Sequence, residues 1–208
     1  MKTIVLKSDE DLEKYENDYG YSIPGNAEFE YSAEFTGRLY VEGYLSIKAG
    51  ESIKAGESIK AGGSIKAGGS IEAGWSIKAG GSIEAGESIK AGWSIEAGES
   101  IKAGGSIKAG WSIEAGGSIK AGGSIKAGGS YGISAGLSIT CRETLSFGLN
   151  AYAGIKTWDK ATEEEKTITC SKLLNGNIEY GILKETGEET KNPKEIVIDG
   201  ATYCLKED

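Results

Sequence analysis

The chain has 208 residues with 33 Gly, 2 Pro, 3 Cys, 1 Met and no His, and a formal net charge of −8. Glycine at about twice its ordinary share requires a periodic or a disordered explanation. The absence of imidazole excludes Ser-His-Asp and Cys-His nucleophile systems, histidine general bases and most zinc sites.

At the start, Thr3 to Leu6 lie between Lys2 and Lys7 and are followed at once by acids, which is too short for the apolar region of a secretory signal. Cys141, Cys170 and Cys204 are odd in number and lack CxxC spacing, which suits small buried thiols in a reducing compartment. Both features lead to an expected cytoplasmic location, inside the host cell if the source is a phage. No apolar run of about 18 residues is present, so no membrane contact is expected. Residues 1–28 read as an N-terminal cap: a strand at Thr3–Leu6, then a short helix. Ser8 is placed as the N-cap, Asp9, Glu10 and Asp11 in the first turn, and Leu12 and Tyr15 on the inner face.

From residue 47 to 125 the motif SIxAG plus one variable residue recurs fourteen times, with Ile at every sixth position and Ala two residues later. A six-residue period is neither helical nor that of an ordinary strand, but three such units close one triangular coil. Ile and Ala then share the inner face of a short strand, the Lys or Glu between them faces solvent, and Gly turns the corner. Upstream, the same phase places Phe29, Phe35 and Val41 on Ile positions and Gly37 and Gly43 on Ala positions. Downstream, the spacing from Ile125 to Ile133 is eight, which implies a two-residue insertion at Tyr131 and Gly132. Counting from Phe29 to Ser130 gives 17 units and five to six coils, a shaft of roughly 25–30 Å.

Positions one full coil apart should stack. Trp75, Trp93 and Trp111 are 18 apart, with Glu57 below them and Gly129 above. The outward charges form three columns: Lys48, Lys66, Glu84, Lys102 and Lys120; Lys54, Glu72, Lys90, Lys108 and Lys126; and Lys60, Lys78, Glu96 and Glu114. The shaft is nearly neutral and the acidity sits at the ends: residues 1–46 carry 4 basic and 10 acidic side chains, and residues 131–208 carry 9 and 13.

The last part is expected to be an antiparallel β region with strands at Thr167–Cys170 and residues 177–183, 195–199 and 202–205. Turn signals at Asn175-Gly176 and Asp199-Gly200 separate them. Thr162 and Glu165 have capping-box spacing. The fold class is therefore all-β. A triangular parallel β-helix with a coil of about eighteen residues, its hand open, spans 29–140. A small α/β cap covers 1–28, and 141–208 form a C-terminal β-rich cap or interaction domain.

The period-six coil resembles the hexapeptide-repeat acyltransferases, although Ile precedes Ala here and the catalytic His of that family has no counterpart. The GxSIxAG rhythm is similar to bactofilin-type cytoskeletal β-helices. SIEAG, SIKAG and GWSIEAG tracts leading into Leu137 to Cys141, Leu149 to Gly154 and Thr162 to Lys166 resemble uncharacterised phage and prophage proteins of gut bacteria. That last resemblance implies a phage accessory protein that docks on a host protein, in its sharpest form an inhibitor of a host defence nuclease.

No catalytic constellation is visible. Glu163, Glu164 and Glu165 are consecutive, the Cys residues lack a base, and the Gly-rich tract lacks the Lys-Ser/Thr ending of a phosphate loop. No enzyme, cofactor or metal site is expected. The expected function is a non-catalytic protein-binding scaffold, with Trp75, Trp93, Trp111 and Glu57 as the protein-binding residues. The same strip could pair two shafts into a homodimer. The alternatives are a self-assembling filament protein and a nucleic-acid mimic acting through the acidic caps. Direct nucleic-acid binding is not expected, because the Lys-richer faces lack interleaved aromatics.

Overall fold

The computed structural model describes residues 1–128, 131–156 and 160–187, and the backbone of 195–198 and 201–204. Three-residue strands recur through the shaft, and each pairs in parallel with the strand one coil away, so that Ile stacks on Ile and Ala on Ala: Ile71 on Ile53 and Ala73 on Ala55, Ile77 on Ile95 and Ala79 on Ala97. Every Ile from 53 to 125 is fully buried and every Ala between is nearly so, while the residue between them faces outward. Three faces result. Face one carries Ile65–Ala67, face three Ile71–Ala73 and face two Ile77–Ala79, with the next coil repeating that order. Face one is a ten-stranded sheet. Faces two and three join into a second sheet through Thr144–Ala153, a long strand that crosses from one face to the other.

Close approach of the coils fixes the corner residue. A Cβ on Gly86 would stand 1.9 Å from the carbonyl oxygen of Gly68 one coil below. The invariant serine of the repeat has a separate task that the periodicity alone did not disclose. Its backbone N–H donates to the hydroxyl of the serine one coil below, repeatedly on two corners, as in Ser70 to Ser52 (2.8 Å), Ser82 to Ser64 (3.1 Å) and Ser118 to Ser100 (3.1 Å), and on the third from Ser76 to Ser58 (3.4 Å). Corner N–H groups that have left the strand ladder thereby keep a partner.

Below residue 53 the structure corrects the phase. Leu45 pairs with Ile65 and Ile47 with Ala67; Ala33 pairs with Ile53 and Phe35 with Ala55; Val41 pairs with Ala61. Phe29, Phe35, Val41 and Ile47 therefore fill the Ala slot, Ala27, Ala33, Leu39 and Leu45 fill the Ile slot, and Gly37 and Gly43 lie at corners. Partners on either side of Gly50 lie two positions further apart in sequence than in the shaft, Leu45 with Ile65 against Ile65 with Ile83. Gly50, at φ +84°, lies in the corner that takes up the excess. Lys48 consequently leaves its column, and Ser46 stands beside Lys66. At the other end, Ile113 pairs with Ile133, with the same excess of two, as the insertion at Tyr131 and Gly132 requires.

The parallel ladder extends beyond the 29–140 stretch on both sides. Thr3–Leu6 pairs in parallel with Asn26–Phe29 on face one, and the helix Asp9–Glu13 stands in chain order where later coils place their face-three strand. Leu12 is buried in the common core and Tyr15 packs against it. Ser8 occupies the N-cap position, but its side chain makes no cap bond. Asp11 reaches back to accept the Lys7 N–H at 3.0 Å instead. After Ala153, Thr167–Cys170, Lys172–Tyr180 and Ile182–Glu185 continue the solenoid in parallel, where an antiparallel arrangement is expected from the turn signals; Asn175 and Gly176 lie inside a strand. Gly176 is needed there because Phe147 occupies the space of its missing side chain, 2.2 Å from a built Cβ. Antiparallel pairing holds for Glu195–Ile198 with Ala201–Cys204, which flank the Asp199-Gly200 turn signal.

Candidate protein interface

Face three ends at Gly74, Gly92 and Gly110, and face two begins at Ile77, Ile95 and Ile113; the corner between them carries Trp75, Trp93 and Trp111. Backbone bonds set their spacing: the N–H of Trp93 donates to the Trp75 carbonyl at 2.8 Å, and that of Trp111 to the Trp93 carbonyl at 2.9 Å. The indole rings stack with centroids 5.3 and 5.0 Å apart and planes within 7° and 3°. Trp93 and Trp111 remain 43% and 42% exposed. With ring faces turned toward one another, the ladder offers solvent the ring edges, including the indole N–H donors.

Sequence spacing places Gly129 at the top of this column. In the structure Tyr131 continues the stack on Trp111, with centroids 5.2 Å apart and planes within 16°. The signal that could have found it was the two-residue insertion, which moves the column register from 129 to 131. At the bottom, Glu57 does lie beneath Trp75. It accepts a hydrogen bond from Arg38 Nε at 2.5 Å, and the Arg38 guanidinium lies 5.2 Å from the Trp75 ring centroid. Arg38 was not legible as a neighbour, because the phase below residue 53 is shifted.

Each ladder residue is flanked by the outward charges of its own coil, three residues before and three after. Glu72 and Lys78 flank Trp75, Lys90 and Glu96 flank Trp93, and Lys108 and Glu114 flank Trp111. Along the shaft some neighbours neutralise one another: Lys78 reaches Glu96 at 2.5 Å, Lys90 reaches Glu72 at 4.0 Å, and Lys54 pairs with Glu34. Like charges also stack: Lys90, Lys108 and Lys126 lie in register on face three, and Glu96 stacks on Glu114 on face two. Lys108 and Glu114 make no ion pair among the described residues. A shallow open groove runs over Lys78, Glu96, Glu114 and Ser134.

The remaining candidates are structural. Among the described residues no group of three or more His, Cys, Asp or Glu could hold a metal ion, and no helix is long and apolar enough to cross a membrane. Cys141 and Cys170 are buried and free, in the slot otherwise taken by Ala. Burial pushes the Cys141 thiol up to about 12 and raises that of Cys170. The side chain of Cys204 lies outside the described residues. Thr162 and Glu165 close one turn by the reciprocal bonds of a capping box: the Thr162 N–H donates to the Glu165 carboxylate at 2.8 Å, and the Glu165 N–H to the Thr162 hydroxyl at 3.3 Å. The Thr162 N–H and Lys156 hold the Glu165 carboxyl below its usual range. Glu165 thus anchors a loop.

A family model described as "Haemagglutinin repeat" matches residues 35–146, a little over half of the chain. Comparisons with curated proteins and with solved structures find no match. None of these findings supports the phage or bactofilin resemblance, or the inhibitor role drawn from it.

Proposed function

The chain belongs to the haemagglutinin-repeat family, and from that premise we propose that it is a non-catalytic, adhesin-like scaffold: a rod that presents the ladder from Trp75 to Tyr131 to another protein. The observation that carries this reading is the ladder itself. Two of its indoles keep more than two fifths of their surface in solvent on a corner fixed by backbone hydrogen bonds. Exposed Trp and Tyr in register concentrate binding area at low entropic cost, which is the composition of interface hot spots. Buried Ile and Ala supply the fold without them, so the Trp residues are dispensable for the core.

The experiment is affinity capture with the intact chain and with the triple variant Trp75→Ser, Trp93→Ser, Trp111→Ser, read by mass spectrometry. The triple variant is expected to keep the β-rich circular dichroism spectrum and lose specific capture. Equal capture by both forms overturns the ladder as the binding strip. A nuclease among the specifically captured proteins would bring back the inhibitor role.

A further inference from the structure

We infer that the protein bound by the ladder is a second copy of this chain, set beside the first in the same direction and related to it by a two-fold axis parallel to the shaft. This inference rests on the reading of the ladder as a protein-binding strip and names its occupant.

Like charges stack on both sides of the ladder. Lys90, Lys108 and Lys126 lie in adjacent coils at the ladder spacing of about 4.8 Å, and Glu96 lies beside Glu114 at the same spacing. Like charges directly opposite in neighbouring strands are destabilising. Other neighbours in the shaft alternate in sign, as in Lys54 and Glu72 or Lys66, Glu84 and Lys102, while Lys60 with Lys78 and Lys102 with Lys120 are further like pairs. Beside the aromatic corner the two runs have opposite sign, basic on face three and acidic on face two; Lys90 and Glu96 reach Glu72 and Lys78 in the coil below, so the flanking charges left without an ion pair among the described residues are Lys108 and Glu114. Their natural counter-charge is a surface with the same pattern and exchanged sides.

This chain supplies such a surface. Rotation by half a turn about an axis parallel to the shaft preserves each coil's height and exchanges left with right. Face two of the second copy then lies alongside face three of the first. At the level of Trp111, Lys108 of one copy is on the same side as Glu114 of the other. At the level of Trp93 the pair is Lys90 with Glu96. At the level of Trp75, where the signs are reversed within the chain, it is Glu72 with Lys78. All three levels are complementary, twice each, as an isologous contact requires. An antiparallel pairing about a perpendicular axis would set face three against face three; centred on Trp93 it would match Lys108 with Glu72 and Glu114 with Lys78 but set Lys90 against Lys90 and Glu96 against Glu96, so the parallel pairing alone is complementary at all three levels. The ladder edges meet at the centre, and the flanking charges fix direction and register.

The test uses the full chain in sedimentation velocity over two decades of concentration, with Lys108→Glu, Glu114→Lys, the double reversal and the triple Trp→Ser variant. Each single reversal puts an opposite charge beside like neighbours, so the fold gains stability, and lost association cannot be ascribed to unfolding. The expected result is a dimer that dissociates as salt is raised. Each single reversal should weaken it by about tenfold or more. The double reversal, which restores complementarity with exchanged signs, should recover wild-type affinity, and the triple Trp variant should be monomeric. A monomer at all concentrations overturns the second copy as occupant while leaving protein capture by the ladder to its own assay. A dimer that survives the triple Trp→Ser change removes the ladder from the contact. Failure of the double reversal to rescue overturns the parallel arrangement.

Discussion

Gly104 and Gly105 are neighbours of identical chemistry with opposite duties. A Cβ on Gly104 would stand 2.0 Å from the Gly86 carbonyl oxygen, which belongs to the coil ladder and has nowhere to go. A Cβ on Gly105 would meet the Ser88 hydroxyl at 2.7 Å, a group that can rotate away. Gly105 also occupies the variable slot that holds Glu or Trp in other coils. In denaturant unfolding, Gly104→Ala is therefore expected to cost about 3 kcal/mol or more, and Gly105→Ala to stay within about 1 kcal/mol of the parent. The thiols give a second residue-scale expectation. Because burial raises the Cys141 thiol to about 12, its thiolate fraction at pH 8 falls by roughly a thousandfold against an ordinary thiol. In a Cys204→Ser background, disulfide reagents should label Cys141 and Cys170 only on unfolding. A thiol whose folded pKa is raised contributes stability that is complete below its unfolded value near 8.5. Stability should fall as pH rises from about 9 toward 12.

At the scale of strands and corners, the period of six gave the strands, their inward pair and the column of tryptophans, because thirteen successive units from residue 53 share one phase. The period states the spacing and leaves open which of the two inward slots a residue fills. Below residue 53 the large and small side chains exchange slots, with Ala33 followed by Phe35 where Ile53 is followed by Ala55. Ala27 with Phe29 and Ala33 with Phe35 keep the summed volume roughly constant, whereas Leu39 with Val41 and Leu45 with Ile47 fill both slots with large side chains; the two extra residues near Gly50 mark the change. The C-terminal strands were legible as strands, whereas their direction depends on the coil below and not on local turn chemistry. Among the described residues the ladder of face one stops at Ile182–Glu185. Leu183 sits over Ile168 and Glu185 over Cys170, in slots that are core throughout the shaft, and the Glu185 carboxylate accepts the Leu173 N–H at 2.6 Å. An inward-slot charge on a terminal strand discourages a further strand from adding. Glu185→Leu should convert a discrete particle into one that associates end to end, visible as concentration-dependent growth in light scattering. If the variant stays discrete, Glu185 is not the barrier to filament growth.

For the whole molecule, two lengths govern two different properties. The core repeats with every unit of the motif because each face presents the same Ile and Ala, so inserting one unit rotates everything above it by one face without exposing any core residue. The ladder repeats only once per coil, because a full turn is needed to return a residue to the same corner. Stability is nearest-neighbour in such a stack, so inserting the single unit GSIKAG after Gly80 should leave thermal stability at or above the parent value, as should inserting a copy of residues 77–94 directly after Ser94. Three stacked indoles make two Trp–Trp contacts. The one-unit insertion moves Trp75 out from under Trp93 and should remove about half of the excitonic signal of coupled indoles in circular dichroism, whereas the full-coil copy brings its own Trp and should raise that signal by about half. An insertion of half a unit satisfies neither period: it puts a polar residue in an inward slot and should destabilise the shaft outright. Equal excitonic signals from the one-unit and full-coil insertions would mean that the indoles do not share one corner, and the three-faced coil would fail with them.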